Sequence, residues 1–423
     1  MRIYCEFHGC SANLADYEMA LGMLKEKGYS FSSLEESDLN VIFTCCVKVP
    51  TVSRMLHRIR ELTKSGKPLI VAGCMPKTMR VAIQKINPHA SMIGPDAIEK
   101  IVLAADYVAK GKRFLFLEDL RRPKVLLPRS RKNPAIGIIE ISTGCLGNCS
   151  YCGVKLIKGK LFSYPPEMIV KEAKTAVEEG CKELWLTSQD NSCYGKDIGS
   201  NLPELLDGIC RIDEKFFVRV GMMNPLHAKD ILKELLEAYK NEKVFKFLHL
   251  PVQSSSPKIL GAMKRGYSPK TALVIIKEFY KKFKWLTLST DVIVGFPGES
   301  DLDFEKTIGF IKKIKPDIVN VSKFGLLPNT EAGKLKQLSR DVVNKRSKEL
   351  VEITKEISLD KNKKWLGWEG ECLVDEAGKN NTFIGRNFAY KPIVLQSGKN
   401  LLGKFVDVKI IDAKGTYLVG KII

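Results

Sequence analysis

Three cysteines fall within one short stretch, Gly144-Cys145-Leu146-Gly147-Asn148-Cys149-Ser150-Tyr151-Cys152. The spacing is Cys-x3-Cys-x2-Cys. Three thiolates this close on a loop can hold three irons of a cubane cluster and leave the fourth iron open. An open metal position is where chemistry is done. A structural zinc site would need a fourth Cys or His nearby, and none follows within twenty residues. The reading from spacing is therefore a catalytic four-iron cluster, with a structural metal knuckle as the weaker alternative.

Three further cysteines, Cys10, Cys45 and Cys74, are far apart in sequence but share a position. Each follows a short apolar run: Ile3 to Phe7, Leu39 to Thr44 and Pro68 to Ala72. If those runs are consecutive parallel strands, the three thiols reach one edge of the sheet, where ligands collect in open α/β folds. They form either a second cluster site or three ordinary buried thiols. Cys5, Cys181, Cys193, Cys210 and Cys372 have no ligand spacing and read as packing residues. Among the five histidines only His249 lies at a strand end with other candidates.

The elements that must position these residues follow from pattern and punctuation. The chain has 423 residues, 44% hydrophobic and 27% charged. That length predicts two or three domains. Residues 1–120 alternate strand and helix, with helices over Asn13–Glu26 and about Thr51–Thr63, and predict a parallel α/β sheet with helices on both faces. Residues 121–134 hold three prolines and six basic residues without an acid. They read as a linker, either a solvated connector or a phosphate-contacting stretch. Residues 135–360 alternate again. Strands at Gly137–Ser142, Glu183–Thr187, Phe217–Gly221, Lys246–Leu250, Leu286–Val294 and Asp317–Ser322 predict a (β/α) partial barrel closed by a long helix from about Arg340 to Asp360. In residues 361–423, five short strands separated by Gly, Asn and Lys predict a small antiparallel β-barrel.

Charge points to a partner. Lys and Arg number 68 against 48 Asp and Glu, a net +20, which suits nucleic acid without proving it. Residues 361–423 carry eleven basic and six acidic residues, with Lys364, Trp365, Trp368, Phe383, Arg386, Phe388, Tyr390 and Lys391 interleaved. Small basic barrels with aromatics bind RNA by charge and stacking. Lys364, Arg386 and Lys391 are the expected RNA contacts, and half of the aromatics are expected in the barrel core. Twelve cysteines fit a reducing compartment, and no apolar run is long enough to span a bilayer. The expected setting is the cytoplasm, with no membrane contact.

The Cys145–Cys152 motif resembles the radical S-adenosylmethionine superfamily. That resemblance implies a cluster whose open iron takes the amino and carboxyl groups of S-adenosylmethionine, and whose electron cleaves it to methionine and a 5′-deoxyadenosyl radical. Tyr151 matches the aromatic position that packs against the adenine. Gly9-Cys10-Ser11-Ala12-Asn13, Thr44-Cys45 and Ala72-Gly73-Cys74 resemble the N-terminal domain of the methylthiotransferase family, which implies a second 4Fe-4S cluster on Cys10, Cys45 and Cys74. Ser163-Tyr164-Pro165, Leu186-Thr187-Ser188-Gln189-Asp190, Arg219 to Pro225, His249 to Ser254, Met263-Lys264-Arg265 and Asp291 to Glu299 extend the match along the chain. Gly385-Arg386-Asn387 and Tyr390-Lys391-Pro392 resemble the RNA-binding TRAM domain. The nearest branch is the archaeal and eukaryotic one, which implies conversion of N6-threonylcarbamoyladenosine beside the anticodon to its 2-methylthio derivative. It also implies tRNA (the anticodon stem-loop), an electron-donor protein such as ferredoxin or flavodoxin, and a sulfur donor as partners. Two departures stand out. Phe43-Thr44-Cys45-Cys46 replaces Asn-Thr-Cys, and the register to Val47-Lys48 favours Cys45 as ligand. Leu327-Pro328-Asn329-Thr330 replaces Arg-Pro-Gly-Thr, so an arginine is missing near the substrate.

Around the barrel mouth, Gln189, Asp190, Arg219, Gln253, Gly295 and Glu299 are the candidate contacts for S-adenosylmethionine, Gly295 by letting backbone approach closely. Three other functions stay open from sequence. One is methylthiolation of a ribosomal protein, though the sister branch that does this tends to have a more acidic terminal barrel. The others are a radical RNA methylase with the barrel cluster alone, and an RNA-binding protein whose N-terminal thiols hold zinc.

Overall fold

The computed structural model describes every residue except Lys48 and Pro328. The register read at Val47-Lys48 and the departure read at Leu327–Thr330 therefore fall partly outside the described residues.

The buried, β-branched runs Leu39–Thr44 and Leu69–Gly73 form the centre of a six-stranded sheet. Its spatial order is Ser30–Phe31, Arg2–Phe7, Leu39–Thr44, Leu69–Gly73, Ser91–Ile93, Leu115–Phe116, all parallel. A strand covered on both faces reads as a continuous apolar run, which is why the sequence shows it clearly. Helices Ser11–Glu26 and Ile101–Ala109 pack one face through Ala15, Met19, Leu24 and Ala104. Helices Val49–Lys64 and Arg80–Ile86 pack the other through Met55, Ile59, Leu62 and Ile83. The register pairs Phe7 with Phe43 and Thr44 with Gly73, so three strands end at one level. Three short strands that the sequence reading did not separate complete the sheet.

Six more parallel strands form the second unit. Ile136–Glu140, Glu183–Thr187 and Phe217–Val220 make one ladder. Phe247–His249, Thr287–Val294 and Ile318–Lys323 make another. The seam between them is joined by a bridge from Val218 to Val244 and by the Met223 amide on the His249 carbonyl at 2.9 Å. The result is an open, curved sheet backed by helices, a partial barrel. Ile139 and Ile141 point to that helical layer, whereas Ile136 and Ile138 on the opposite face join the core of the N-terminal sheet. The first helix thus packs against the first barrel strand. A long helix, Arg340–Lys363, leads to a closed five-stranded barrel in the order Glu369–Ala377, Thr382–Asn387, Pro392–Gln396, Leu418–Ile422, Phe405–Ala413. Among the described residues no helix is long and apolar enough to cross a membrane.

Residues 121–134 are neither a solvated connector nor a free basic strip. Lys124 is buried against Asp16 and Glu140, Arg129 pairs with Glu172 at 2.6 Å, Arg131 with Glu179 at 2.8 Å, and Arg122 with Glu99 at 2.9 Å. The backbone carbonyl of Pro128 lies so close to Gly22 that a methyl there would approach it to 2.3 Å. Lys124 pairs with both units, Arg122 with the first, and Arg129 and Arg131 with the second, so four of the six cations are paired within the fold.

Candidate active site

The Cys145 loop is closed at its neck. Ser142–Thr143 pairs with Phe162–Ser163, and the Cys145 amide reaches the Gly159 carbonyl at 3.3 Å. Gly144 sits at φ +75°, and a side chain there would meet the Lys160 carbonyl oxygen at 1.9 Å, so only glycine closes this neck. Within the loop, a methyl on Gly147 would lie 3.3 Å from the Cys145 sulfur and 3.8 Å from the Cys149 sulfur. The two thiols flank a space that glycine leaves open, which suits a shared cluster. The Gly147 amide donates to the Cys145 sulfur at 3.2 Å. Cys193 hydrogen-bonds Cys145 and holds it below the ordinary thiol range. Burial, followed by the neighbouring Cys149, raises Cys152.

The second set of thiols is assembled from three loops. Cys10 precedes the first helix, Cys45 follows Leu39–Thr44, and Cys74 follows Leu69–Gly73. Asn13 ties these loops together: its Nδ2 donates to the His8 carbonyl at 2.8 Å and to the Thr44 carbonyl at 3.4 Å. Gly73, at φ +91°, passes so close that a side chain would meet the Thr44 carbonyl oxygen at 2.7 Å and Asn13 Oδ1 at 2.8 Å. Burial first, then the sulfurs of Cys74 and Cys10, push the Cys45 thiol up to about 11. Cys46 is buried too and contacts Cys74 and, at 3.5 Å, Thr78 Oγ1. Four thiols therefore gather where three were expected. Among the described residues no three His, Cys, Asp or Glu side chains are disposed around a single-ion site.

The two sets are docked on each other. Lys77, on the short helix after Cys74, donates to the Ile157 carbonyl on the short helix after Cys152 at 2.7 Å. Lys158, at the end of that helix, is buried near Asp96 and Glu140, and its charge acts on Cys10 and Cys74. Ser11 Oγ meets Thr187 Oγ1 at 2.8 Å. A cleft of about 820 Å³ opens between the units, lined by Val47 and Pro50 from one and by Tyr151, Cys152, His249 and Gln253 from the other. Gln253 adopts φ +63°, and its backbone pairs beside Val292. His249 Nε2 lies 3.3 Å from Asp291 Oδ1, which also accepts from Asn320 at 2.7 Å.

Family models match three stretches: the radical SAM superfamily over residues 139–311, Uncharacterized protein family UPF0004 over 2–94 and the TRAM domain over 366–423. A protein of Pyrococcus horikoshii described as "Probable threonylcarbamoyladenosine tRNA methylthiotransferase" is 40% identical over 433 residues, covering 100% of both chains. The threonylcarbamoyladenosine tRNA methylthiotransferase of Drosophila melanogaster is 34% identical and is covered over 78% of its length by 100% of this chain. The chain belongs to the threonylcarbamoyladenosine tRNA methylthiotransferase family. Membership in the radical SAM superfamily implies a 4Fe-4S cluster and S-adenosylmethionine. Among solved structures, the radical S-adenosylmethionine methyltransferase TsrM from Kitasatospora setae shares the fold at TM-score 0.58 and 14% identity, over 78% of this chain and 77% of that one. The cobalamin-dependent radical enzyme OxsB does so at 0.54 and 12%, over 83% and 56%.

Within this methylthiotransferase fold the remaining candidates separate. Gln189 Oε1 and Asp190 Oδ2 are buried without a hydrogen-bond partner beside the Cys145 loop, as acceptors awaiting a donor would be. The other Asp190 oxygen caps Asn191–Cys193 through Ser192 and Asn224. Glu299 is already engaged: it accepts from the Gly295 amide at 2.9 Å and from Arg346 of the long helix at 2.8 Å. Gly295 does make a close approach, but to Val343 of that helix, which a side chain at Gly295 would meet at 2.4 Å. Arg219 lies among the rings of Trp185, Phe247 and Tyr390 at 5.1 to 5.4 Å, at the level where the C-terminal barrel plugs the partial barrel.

The expected RNA contacts need correction. Lys391 is 3% exposed and bonded to Asp317 and Asn362, both at 2.7 Å. Arg386 pairs with Asp375 at 3.1 Å and covers the Tyr390 ring. Both cations fasten the C-terminal barrel inward, because its turn at Phe388–Tyr390 inserts between Phe245 and Phe247. Of the three, Lys364 remains exposed. None of Trp365, Trp368, Phe383, Phe388 or Tyr390 is exposed, so all five aromatics pack, where half were expected to. The residues that sequence reasoning missed are Cys193, read as packing, together with Lys158 and Arg265. Lys158, six residues past Cys152, was the one with a local signal; Cys193 and Arg265 reach the loop only through the fold.

Proposed function

We propose that this chain converts N6-threonylcarbamoyladenosine beside the anticodon of tRNA to its 2-methylthio derivative. The observation that carries this is the docking of the Cys74 loop on the Cys152 loop through Lys77 and Ile157, beside a cleft lined by Cys152 from one unit and by Val47 and Pro50, just past Cys45, from the other. Carbon 2 of adenine has an unactivated C–H bond that acid–base groups cannot break, and a cluster on Cys145, Cys149 and Cys152 would supply a radical able to do so. Cys10, Cys45 and Cys74 would hold a second four-iron cluster as the sulfur site, with Cys46 beside them. Gln189 and Asp190 would accept from the amino group of S-adenosylmethionine, and Tyr151 would pack its adenine. Gln253 is read as a further contact to the same molecule, with Glu299 and Gly295 shaping the turn behind it. The cleft volume is within the range of ligand sites. The tRNA would be gripped by exposed lysines of the C-terminal barrel, among them Lys364, Lys379, Lys399, Lys404 and Lys421.

In this reading the domains run 1–120, 121–134, 135–360 and 361–423, a cytoplasmic electron-donor protein reduces the clusters, and a sulfur donor replenishes the second. Expression in a bacterial host lacking its own tRNA methylthiolation, with mass spectrometry of digested tRNA, tests it. The expected product is the 2-methylthio form of threonylcarbamoyladenosine. A modified isopentenyl-type adenosine would overturn the substrate, and unchanged tRNA from cells holding both clusters would overturn the RNA reading.

A further inference from the structure

Every deeply buried cation described so far has a carboxylate partner: Lys124 with Asp16 and Glu140, Arg129 with Glu172, Arg346 with Glu299, Lys391 with Asp317. Arg265 does not. It is 4% exposed, and among the described residues it forms no ion pair with a carboxylate. Its Nη1 lies 3.4 Å from the Cys149 sulfur and 3.5 Å from the Tyr151 hydroxyl. Its Nη2 donates to Asn224 Oδ1 at 3.2 Å and to the Pro251 carbonyl at 3.0 Å. The Tyr267 ring lies 5.2 Å from the guanidinium, and Nε has no hydrogen-bond partner. The side chain is placed there deliberately by the backbone. Helix Pro257–Ala262 ends in Lys264 at φ +55°, and the chain then turns inward, with the Arg265 amide on the Leu260 carbonyl at 3.0 Å.

A guanidinium cannot shed its proton in a protein. Buried without an anion it is strongly unfavourable, so its partner must be an anion that arrives with the bound group. The Cys149 sulfur is the acceptor within reach that becomes anionic when it ligates iron. We infer that Arg265 is the counter-charge of the barrel cluster: it positions Cys149 and Tyr151 and raises the potential of the cluster for its one-electron reduction by the donor protein. The inference rests on the barrel cluster alone and not on the nature of the RNA substrate. Hydrogen bonds to cluster sulfurs and net charge near a cluster are the protein's means of setting its potential.

The test is an EPR-monitored redox titration of the full chain after anaerobic reconstitution, following the signal that changes when S-adenosylmethionine is added. Wild type is compared with Arg265→Lys and Arg265→Met, with iron per chain measured in each. The expected result is a midpoint shifted to more negative potential in Arg265→Met and near wild type in Arg265→Lys, at equal iron. A residue that only staples Asn224 to Pro251 would not move the potential. An Arg265→Met midpoint equal to wild type at full iron overturns the inference, as does an Arg265→Lys midpoint as low as that of Arg265→Met. If Arg265→Met cannot hold the barrel irons, retention of those irons by Arg265→Lys supports the inference, and their loss from both variants overturns it.

Discussion

The two thiol sets are built in opposite ways. Cys145, Cys149 and Cys152 sit on one loop whose neck is closed locally by Gly144 and the pairing of Ser142–Thr143 with Phe162–Ser163. Cys10, Cys45 and Cys74 come from three loops, brought level by strand register and laced by Asn13. A local site needs a few short-range contacts. A distributed one needs the whole sheet in register, because a shift of any strand moves one thiol away. Substitutions in the sheet should therefore empty the N-terminal site and spare the barrel loop, and the reverse should hold for changes in the loop.

The largest effect should come from replacing Cys145, Cys149 and Cys152 together by Ala. The 2-methylthio product should vanish, with about four irons per chain remaining at the N-terminal site. A chain with no iron left would erase the contrast. Next, Gly73→Val should empty the N-terminal site and leave about four irons on the barrel loop. Its side chain would collide with Thr44 and Asn13 in backbone that disfavours it, a strain of roughly 1–3 kcal/mol before the clash. Iron analysis with circular dichroism checks this, and loss of both clusters in a folded chain would show that the sites are not independent.

Lys391→Met should lower stability by up to about 3 kcal/mol, the low end for a broken buried pair, since Asp317 keeps Lys361 at 3.3 Å. Thermal unfolding gives the size. The salt dependence of tRNA binding should be unchanged by it, whereas Lys364→Met should reduce the slope by about one. This pair of variants separates cations that hold the fold from those that meet RNA. Asn13→Ala should cost roughly 1–3 kcal/mol by leaving the His8 carbonyl without its donor, while the Thr44 carbonyl keeps the Cys74 amide at 3.0 Å, and should be seen as faster loss of N-terminal iron to a chelator. The smallest change is expected from Cys46→Ala, with iron content kept, against loss of N-terminal iron in Cys45→Ala. Equal retention in both would make Cys45 and Cys46 interchangeable ligands.

What could be read in advance follows the same division. The barrel loop was legible because its ligands are contiguous. The six barrel strands, the long helix and the five C-terminal strands were legible because each buries a periodic apolar pattern that sequence carries directly. The strand-end positions of Cys10, Cys45 and Cys74 were legible as positions. That Cys46 also turns toward Cys74 was not, since the direction of a side chain just past a strand depends on the path of the loop. The basic residues were misread for a related reason. A lysine in a sequence looks the same whether it faces solvent or Asp317.

The sequence by itself determined the chemistry available here: which thiols exist, how closely three of them are tied, and which strands end beside the others. These are properties of covalent spacing and of periodic burial, and they survive without knowledge of the rest of the chain. Only the tertiary structure decided where the charges go. Asp16 meets Lys124, Asp317 meets Lys391, and Arg265 meets Cys149 across separations that no local pattern encodes. A buried charge must find its partner wherever the packed elements bring one. That requirement, and not the net +20, fixes which cations are left for a nucleic acid.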